Sequence, residues 1–334
     1  MLAAGVTLAL LVALFFAYRH WNTRDSLTDR EGMLALMPED ASAVVYLDLA
    51  QLRSSPFFAE LLRWAPKTAP DSDYAQFLAA TGFDYETALD RVALAINRQT
   101  EIPTVFAIAQ GRFDRKKIEA YGSRYGSLKT AAGKTLFAVP LNGSNRKAFF
   151  TFLREDRIAW ANDSSYFFQR PREGASAEWR EHFLRLAGTP VFAVLQQDSG
   201  AAAVLAQAPG GLHSPQLAAL LAQLQWISIS AKPDGNLLRV GIEGECLAES
   251  TEHQLKDLLS GMVVLAQMGL NDPKTRKQLD PMVREGYLEL LQSAEVQQVD
   301  RGTSKSVRVV FDVSPKLLEA AHHSATADPV VVGH

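Results

Sequence analysis

Acidic residues at strand-to-helix junctions are the side chains in this sequence that most resemble catalytic groups. Asp48 lies at such a junction within Pro38–Leu62, where a β-branched run passes directly into a helical pattern. A carboxylate at this position could act as a general base, or it could accept backbone N–H groups as the cap of the helix. Asp84 and Asp114 occupy junctions of the same kind. Because all three aspartates precede helices, we interpret them as structural caps.

Other motifs with catalytic residue types lack the context that their chemistry needs. The Gly-Lys-Thr run at 133–135 resembles the end of a phosphate-binding loop, but a strand pattern follows it instead of a helix. Ser144 and Lys147 have the spacing of a serine–lysine pair, but they lie in a polar loop. Cys246 has no histidine base next to it in sequence, and the histidines lack metal-binding spacing. We therefore predict no catalytic residue, no metal site and no cofactor.

The composition is that of a globular protein without a nucleic-acid-binding surface. The chain has 334 residues and a formal net charge of −3, which leaves no basic excess for nucleic acid. Its single cysteine can form neither an intrachain disulfide nor a thiolate zinc cluster. The length suits two ordinary domains or one large domain.

The first eighteen residues differ from the rest of the chain. Residues 2–18 carry no charge. As a helix this run would reach about 26 Å, close to the thickness of the hydrocarbon core of a bilayer. Aromatic residues cluster at its end, and Arg19, His20 and Arg24 follow. A cleaved signal peptide is the alternative, but a basic start and a small-residue cleavage site are missing. We therefore predict a single-pass membrane anchor over residues 1–21.

The charges leave open which side of the membrane holds the body. A count of Lys and Arg favours a cytoplasmic body, whereas a basic segment ahead of Met1 would favour an extracytoplasmic one, which we expect. Residues 22–33 are polar and charged without periodicity, so we predict a stalk over residues 22–36. We expect residues 1–20 to be dispensable for folding, and a chain that begins near Met33 to fold by itself.

The body shows one order of elements twice. Each half begins with a strand, continues through a helix into a two-stranded hairpin, and then adds another helix and more strands. Strands joined by short turns must be antiparallel. The sequence therefore predicts an α+β fold of two similar units, each an antiparallel sheet with helices layered on it. The predicted ranges are 37–187 for the first unit, 188–321 for the second and 322–334 for a disordered tail.

Four strands of the first unit are predicted to share one sheet. The helix predicted for Asp114–Arg124 should pack on one face of that sheet, because Ile118 and Tyr121 lie on one side of it. The four strands are Ala43–Leu49, Arg91–Asn97, Thr104–Gln110 and Thr135–Val139.

A long helix predicted for Glu252–Leu270 carries a continuous apolar stripe. Core packing explains such a stripe, but methionine-containing helices can also line a groove for an apolar ligand such as lipid. The residues that would line the groove are Leu255, Leu259, Met262, Val263 and Met268.

Three short motifs punctuate the first unit: a Pro-x-Asp-Ala start, a Gly-aromatic-Asp before an Asp-Arg-Val strand, and a Gly-x-Phe-Asp that opens a helix. The residues are Pro38, Asp40, Ala41, Gly82, Phe83, Asp84, Asp90, Arg91, Val92, Gly111, Phe113 and Asp114. Together with the N-terminal apolar run, this succession resembles a group of uncharacterised bacterial envelope proteins that carry a domain of unknown function. The resemblance covers residues 37–161 and assigns no catalytic residue.

The sequence as a whole predicts a membrane-anchored, non-enzymatic protein of the bacterial envelope. It would contact the membrane through residues 1–21 and bind or scaffold a protein partner. A carrier or sensor of an apolar ligand is the alternative, and an unrecognised hydrolase is a third class.

Overall fold

The structure is a computed structural model in which helices pack on an antiparallel sheet. The prediction of a mixed fold of helices and antiparallel sheet is thereby confirmed. The residues described are 29–64, 72–98, 103–131, 133–141, 146–168, 175–197, 215–302 and 304–326.

All strands within these ranges belong to one sheet. They are β1 Ala43–Asp48, β2 Leu89–Asn97, β3 Thr104–Gly111, β4 Ser127–Ala131, β5 Lys134–Pro140, β6 Lys147–Arg154, β7 Arg157–Ala161, β8 Val191–Gln196, β9 Leu224–Asp234, β10 Leu237–Cys246, β11 Glu295–Asp300 and β12 Lys305–Val313. Their order is β11-β12-β10-β9-β8-β1-β2-β3-β7-β6-β5-β4. Every neighbouring pair is antiparallel. The four strands expected to share a sheet correspond to β1, β2, β3 and β5, so that prediction is confirmed.

The two halves of the chain meet at the centre of the sheet. β1 of the first half pairs with β8 of the second, which sets Tyr46 opposite Phe192. Outward from this pair the strands are β2, β3 and β7 on one side and β9, β10 and β12 on the other, so the same succession occurs twice. The sequence predicts a separate sheet in each unit. Instead, β1 and β8, which would each be the edge strand of a separate sheet, pair with each other. The edges of the single sheet are therefore β4 and β11.

Helices cover the sheet on two sides, and those after Asp48, Asp84, Asp114 and Asp280 begin at the residue that follows the capping aspartate. They are α1 29–34, α2 Leu49–Arg53, α3 Pro56–Trp64, α4 Ser72–Thr81, α5 Tyr85–Ala88, α6 Arg115–Tyr125, α7 Ser165–Phe168, α8 Ala177–Arg185, α9 Pro215–Leu221, α10 Glu249–Asn271, α11 Pro273–Gln278, α12 Pro281–Ser293 and α13 Pro315–Thr326.

Two neighbouring residues of β9 show how the sheet separates its cores. Successive side chains of a strand point to opposite faces, and Trp226 and Ile227 belong to different buried clusters. The cluster of Trp226 contains residues of α1, α8 and the central strands, whereas that of Ile227 contains residues of α9 and α10. A third cluster joins Ile118 of α6 to Phe137 and Phe150, which confirms that this helix packs on one face of the sheet.

Residues 29–37, called the leading segment below, belong to the core. Met33 is fully buried, and Leu34 and Met37 are buried beside it in the cluster of the central strands. The predicted stalk over residues 22–36 is therefore wrong for residues 29–36, while residues 22–28 lie outside the described part of the chain. The segment looks polar in sequence because it contains Asp29, Arg30 and Glu31, but the fold engages Asp29 in ion pairs and Arg30 in hydrogen bonds.

Three further predictions concern the ends of helices and the membrane. α10 is longer at both ends than the predicted Glu252–Leu270. α13 continues to Thr326, so the predicted tail over 322–334 is wrong for residues 322–326, and the remainder lies outside the described ranges. Among the described helices, none combines the length and apolarity needed to cross a bilayer. The predicted anchor, residues 1–21, lies outside these ranges.

Candidate functional site

The aspartates at the strand-to-helix junctions accept backbone hydrogen bonds where helices begin. The bonds run from Gln51 N to Asp48 Oδ1 at 2.9 Å, from Glu86 N to Asp84 Oδ1 at 2.9 Å, and from Lys117 N to Asp114 Oδ1 at 3.1 Å. Each satisfies an N–H group that a helix leaves free at its start. The bond from Lys117 N also lowers the pKa of Asp114. All three carboxylates therefore occupy the geometry of a helix cap.

Asp48 has a second partner that the sequence does not predict. Its Oδ2 accepts from Arg91 Nε at 3.1 Å, and Arg91 Nη1 lies 3.6 Å from the carboxylate of Asp29. Asp29 also accepts from Arg157 Nη2 at 3.1 Å and from Gln110 Nε2 at 3.0 Å. Because Arg157 exposes only 5% of its side chain, Asp29 supplies the negative charge that this buried guanidinium needs. The network ties α1 to β1, β2, β3 and β7.

Arg30 joins the two halves at the centre of the sheet. Its guanidinium carbon lies 5.0 Å from the ring centroid of Tyr46 and 4.8 Å from that of Phe192. It donates to Leu186 O at 2.8 Å and to Thr189 O at 3.4 Å. Burial lowers the pKa of Arg30 and raises the pKa of Tyr46 to about 12. The leading segment therefore stabilises the junction of β1 with β8.

A groove of about 310 Å³ lies between α1 and α8. Leu34 and Phe183 are buried at its base, Leu184 forms an exposed wall, and the charged residues Glu31 and Arg180 stand at its rim. This volume is at the lower end of the range for small-molecule sites. An apolar base with a charged rim suits an apolar chain that carries a polar head group.

A charged cluster lies beside α8 on the outer strands of the second half. Glu243 accepts from Arg301 at 2.6 Å and from Arg308, while Glu245 accepts from Arg185 at 3.0 Å. The space they enclose is about 20 Å³, which is room for about one water molecule. Since each of these arginines has a carboxylate partner, the cluster has the geometry of a structural ion-pair network.

Two titratable side chains that could perform chemistry are held neutral by burial. Burial raises the pKa of Cys246 to about 11, and the charge of Glu252 adds to the effect. A thiol with such a pKa is a poor nucleophile at neutral pH. His182 packs on Trp226 with ring centroids 4.3 Å apart, and burial, followed by the charge of Arg185, lowers its pKa.

The structure divides the five predicted groove residues between core and surface. Leu255, Leu259 and Met262 pack in the cluster beneath α9 and α10. Val263 is half-buried, and Met268 exposes 65% of its surface. Met268 follows Met262 by six residues, which rotates it by about 240° around the helix and turns it away from the sheet.

The outward face of the last turns of α10 is apolar. Val264 and Leu265 expose 54% and 68% of their surface, and Met268 lies on the same face. Gly261 and Gly269 are exposed beside them. These five residues are called the outer stripe below.

Polar groups are absent from the outer stripe because of how α10 is oriented. From residue 261 to residue 269 the only polar side chain is Gln267. Its Nε2 donates to Leu291 O of α12 at 2.8 Å, on the inner side of the helix. A surface helix usually turns its polar face to water, so this segment shows the reverse pattern. Clustered exposed apolar residues of this kind mark interaction sites.

Sequence reasoning missed the leading segment as a structural element. The available signal was the spacing of Met33, Leu34 and Met37, since residues three and four positions apart share a helical face. The motif residue Ser144 lies outside the described ranges. Within those ranges, no group of three or more His, Cys, Asp and Glu side chains is placed to hold a metal ion.

Comparisons with known proteins give a distant structural likeness. No family model matches the chain, and no curated protein matches it. Crystal form III of TP0453 has 11% sequence identity and a TM-score of 0.46 over 88% of this chain and 98% of that one. Form IV has 10% identity and a TM-score of 0.44, with 87% and 96% covered. Form I has 10% identity and a TM-score of 0.42, again with 87% and 96% covered. At these values the likeness carries no argument about function.

Proposed function

We propose that this protein is a membrane-anchored, non-enzymatic binding protein of the bacterial envelope that holds a protein partner. In this proposal residues 1–21 form a single-pass anchor. The body lies on the extracytoplasmic side and presents the surface that meets the partner.

The outer stripe is the observation that carries this proposal. Its three large side chains lie together on one helix face, with no polar side chain between them. Single exposed apolar residues are common on soluble proteins, but a contiguous group is unfavourable in water unless something covers it. A binding partner would remove that apolar surface from water.

Two buried or engaged groups support a role without catalysis. The thiol of Cys246 is buried, and its raised pKa keeps it protonated at neutral pH. Asp48, which the sequence offers as a possible general base, already accepts hydrogen bonds from a backbone N–H and from Arg91. A general base would need a lone pair directed at a substrate.

Affinity purification of the full chain in mild detergent, followed by mass spectrometry, tests the binding role. We expect a reproducible stoichiometric protein partner that is lost from the Leu265→Arg variant. Leu128→Arg is the matched control, because Leu128 exposes 57% of its surface on β4, at the sheet edge opposite to β11. Equal recovery of the partner with both variants would contradict the proposal.

A separate experiment tests on which side of the membrane the body lies. A reporter fused after His334 that is active only in an oxidising compartment should be active if the body is extracytoplasmic. An inactive reporter on a stably produced fusion would place the body in the cytoplasm.

We also propose that the two halves of the body arose by duplication of one unit. The support is the repeated succession of strands outward from β1 and β8. A profile built from sequences related to this chain should align its first half with its second; a profile without such an alignment would count against duplication.

A second candidate function is the carriage of an apolar ligand, which the groove between α1 and α8 favours. Native mass spectrometry of the purified full chain should then show a co-purifying lipid-like molecule. Ala35 lines the groove, whereas its neighbour Leu36 is exposed and does not. We expect Ala35→Trp to fill the groove and abolish the signal, and Leu36→Trp to retain it. A chain that carries no such molecule would exclude this function.

A further inference from the structure

The outer stripe fits a second copy of this chain. We infer that two molecules associate through antiparallel contact of their α10 helices, crossing at Leu265. The inference rests on the proposed function, since it names the partner of the same surface.

Apolar contact at the crossing is the first requirement. Leu265 is the most exposed of the stripe's side chains, and Val264 and Met268 flank it on the same face. In a two-fold contact Leu265 would pack against its own counterpart, and each copy would cover the apolar surface of the other.

Two glycines in α10 have no structural reason within the part of the chain that the structure describes. At the helical positions Gly122 and Gly286 a Cβ atom would lie 2.6 Å from a phenylalanine ring atom and 3.1 Å from a leucine Cα, so internal packing requires glycine there. A Cβ atom at Gly261 or Gly269 would meet nothing within 4 Å. Glycine destabilises a helix interior relative to alanine. A second backbone that approaches closely would explain both residues.

The positions of these glycines match an antiparallel crossing. Gly261 lies four residues before Leu265, and Gly269 lies four residues after it. In a two-fold antiparallel pair centred on Leu265, Gly261 of one copy therefore faces Gly269 of the other, and the reverse contact forms as well.

Charges at the two ends of the stripe complement each other in the same arrangement. Asp257 precedes the stripe and exposes 75% of its side chain. Lys274 and Lys277 follow it on α11 and are exposed. Antiparallel contact centred on Leu265 brings the end of one copy that carries Asp257 towards the end of the other that carries Asp272, Lys274, Arg276 and Lys277, where the positive charges outnumber the negative one. Parallel contact would place like charges together.

Disulfide trapping of the full chain in its membrane tests this geometry. On mild oxidation, Leu265→Cys should give a covalent dimer on a non-reducing gel. Leu128→Cys, with 57% of its surface exposed on the opposite edge strand β4, should remain monomeric, which controls for random collision. Absence of a dimer at position 265, or equal dimer at both positions, would overturn the inference.

Charge reversal tests the orientation without disturbing the core. Sedimentation of the full chain in density-matched detergent should give a dissociation constant that rises about fivefold in Asp257→Lys, the ratio expected for a solvent-exposed ion pair. The double variant Asp257→Lys with Lys274→Glu should restore the parental value. Failure of the double variant to recover would contradict antiparallel contact.

The remaining outcomes separate this inference from the proposed function. If Leu265→Cys forms an adduct with a different protein and no homodimer, the second copy is excluded while the binding function stands. If no protein adduct forms, and the fluorophore NBD attached to this variant shows a lipid-like emission that does not depend on protein concentration, the stripe contacts lipid and both proposals fail.

Discussion

The leading segment and the outer stripe are opposites in sequence and in burial. Residues 29–37 include Asp29, Arg30 and Glu31, yet they lie at the centre of the fold with Met33 fully buried. Residues 261–269 contain one polar side chain, yet their outward face is exposed. The comparison shows that the composition of a short segment does not decide its burial. What decides it is whether the segment's charges find partners and which face of the sheet it meets.

The largest expected effect comes from truncating one apolar residue in each region. Met33→Ala should lower the free energy of unfolding by about 2–5 kcal/mol, because a fully buried side chain leaves a cavity. Leu265→Ala should change it by at most about 0.5 kcal/mol, because Leu265 lies on the surface. Denaturant unfolding of the full chain in detergent, below the dissociation constant of any dimer, measures both. Equal losses of unfolding free energy in the two variants would contradict the difference in burial between the two regions.

The charges of the leading segment should matter next. Asp29→Asn removes the carboxylate that faces the buried Arg157, so we expect a loss of about 1–3 kcal/mol. The value is below that of a fully buried pair because Asp29 is 32% exposed. Glu31→Gln, on the same helix but exposed, should be nearly silent in the same unfolding measurement. A silent Asp29→Asn would show that the ion pairs of Asp29 contribute nothing to the stability of the fold.

Substitutions of Asp48 should change stability less, and their ranking depends on whether helix capping or the ion pair with Arg91 contributes more. Asp48→Ala removes the cap and should lower stability by about 0.5–2 kcal/mol. Asparagine caps nearly as well as aspartate, but it removes the charge opposite Arg91, so Asp48→Asn should lose a measurable part of that amount. Thermal unfolding ranks the two variants. If Asp48→Asn unfolds at the same temperature as the parent, the ion pair with Arg91 contributes nothing to stability.

A substitution at Gly261, in the exposed stripe, should give the smallest change in the free energy of unfolding. Gly261→Ala should stabilise the isolated chain by up to about 1 kcal/mol, because alanine favours a helix and its methyl group meets no atom. Gly122→Ala is the contrasting variant and should destabilise, since its Cβ would lie 2.6 Å from Phe137. Both are read from unfolding at low protein concentration. Destabilisation by Gly261→Ala in the monomer would show that the stripe is covered from within the chain.

Part of the candidate site could be predicted because local rules govern it. The caps at Asp48, Asp84 and Asp114 follow from residue type and from the helix pattern after each one, which are local properties. The strand pattern and short turns likewise predict antiparallel neighbours. The ion pair of Asp48 with Arg91 could not be predicted, since those residues are 43 positions apart and meet only through the pairing of β1 with β2.

The apolar stripe of α10 shows where periodicity stops being informative. Its spacing predicts an amphipathic helix with Leu255, Leu259 and Met262 inward; Leu255 belongs to the buried cluster, and Leu259 and Met262 pack against it. The sequence alone does not say that Val264 and Leu265 face water, because an all-apolar segment has no polar face to set its rotation. Packing against α12, including the bond from Gln267 to Leu291, decides that orientation.

Local sequence patterns specify the elements: strands from β-branched runs, helix starts from aspartate and proline, and antiparallel pairing from short turns. These features depend on neighbours within a few residues, so local chemistry suffices to specify them. Contacts between distant segments, in contrast, specify that the two halves share one sheet through β1 and β8, and that Arg30 lies between Tyr46 and Phe192 at that junction. The physical reason is that burial and pairing are properties of contacts between distant segments, and a charged residue can enter a core once such contacts supply its partners.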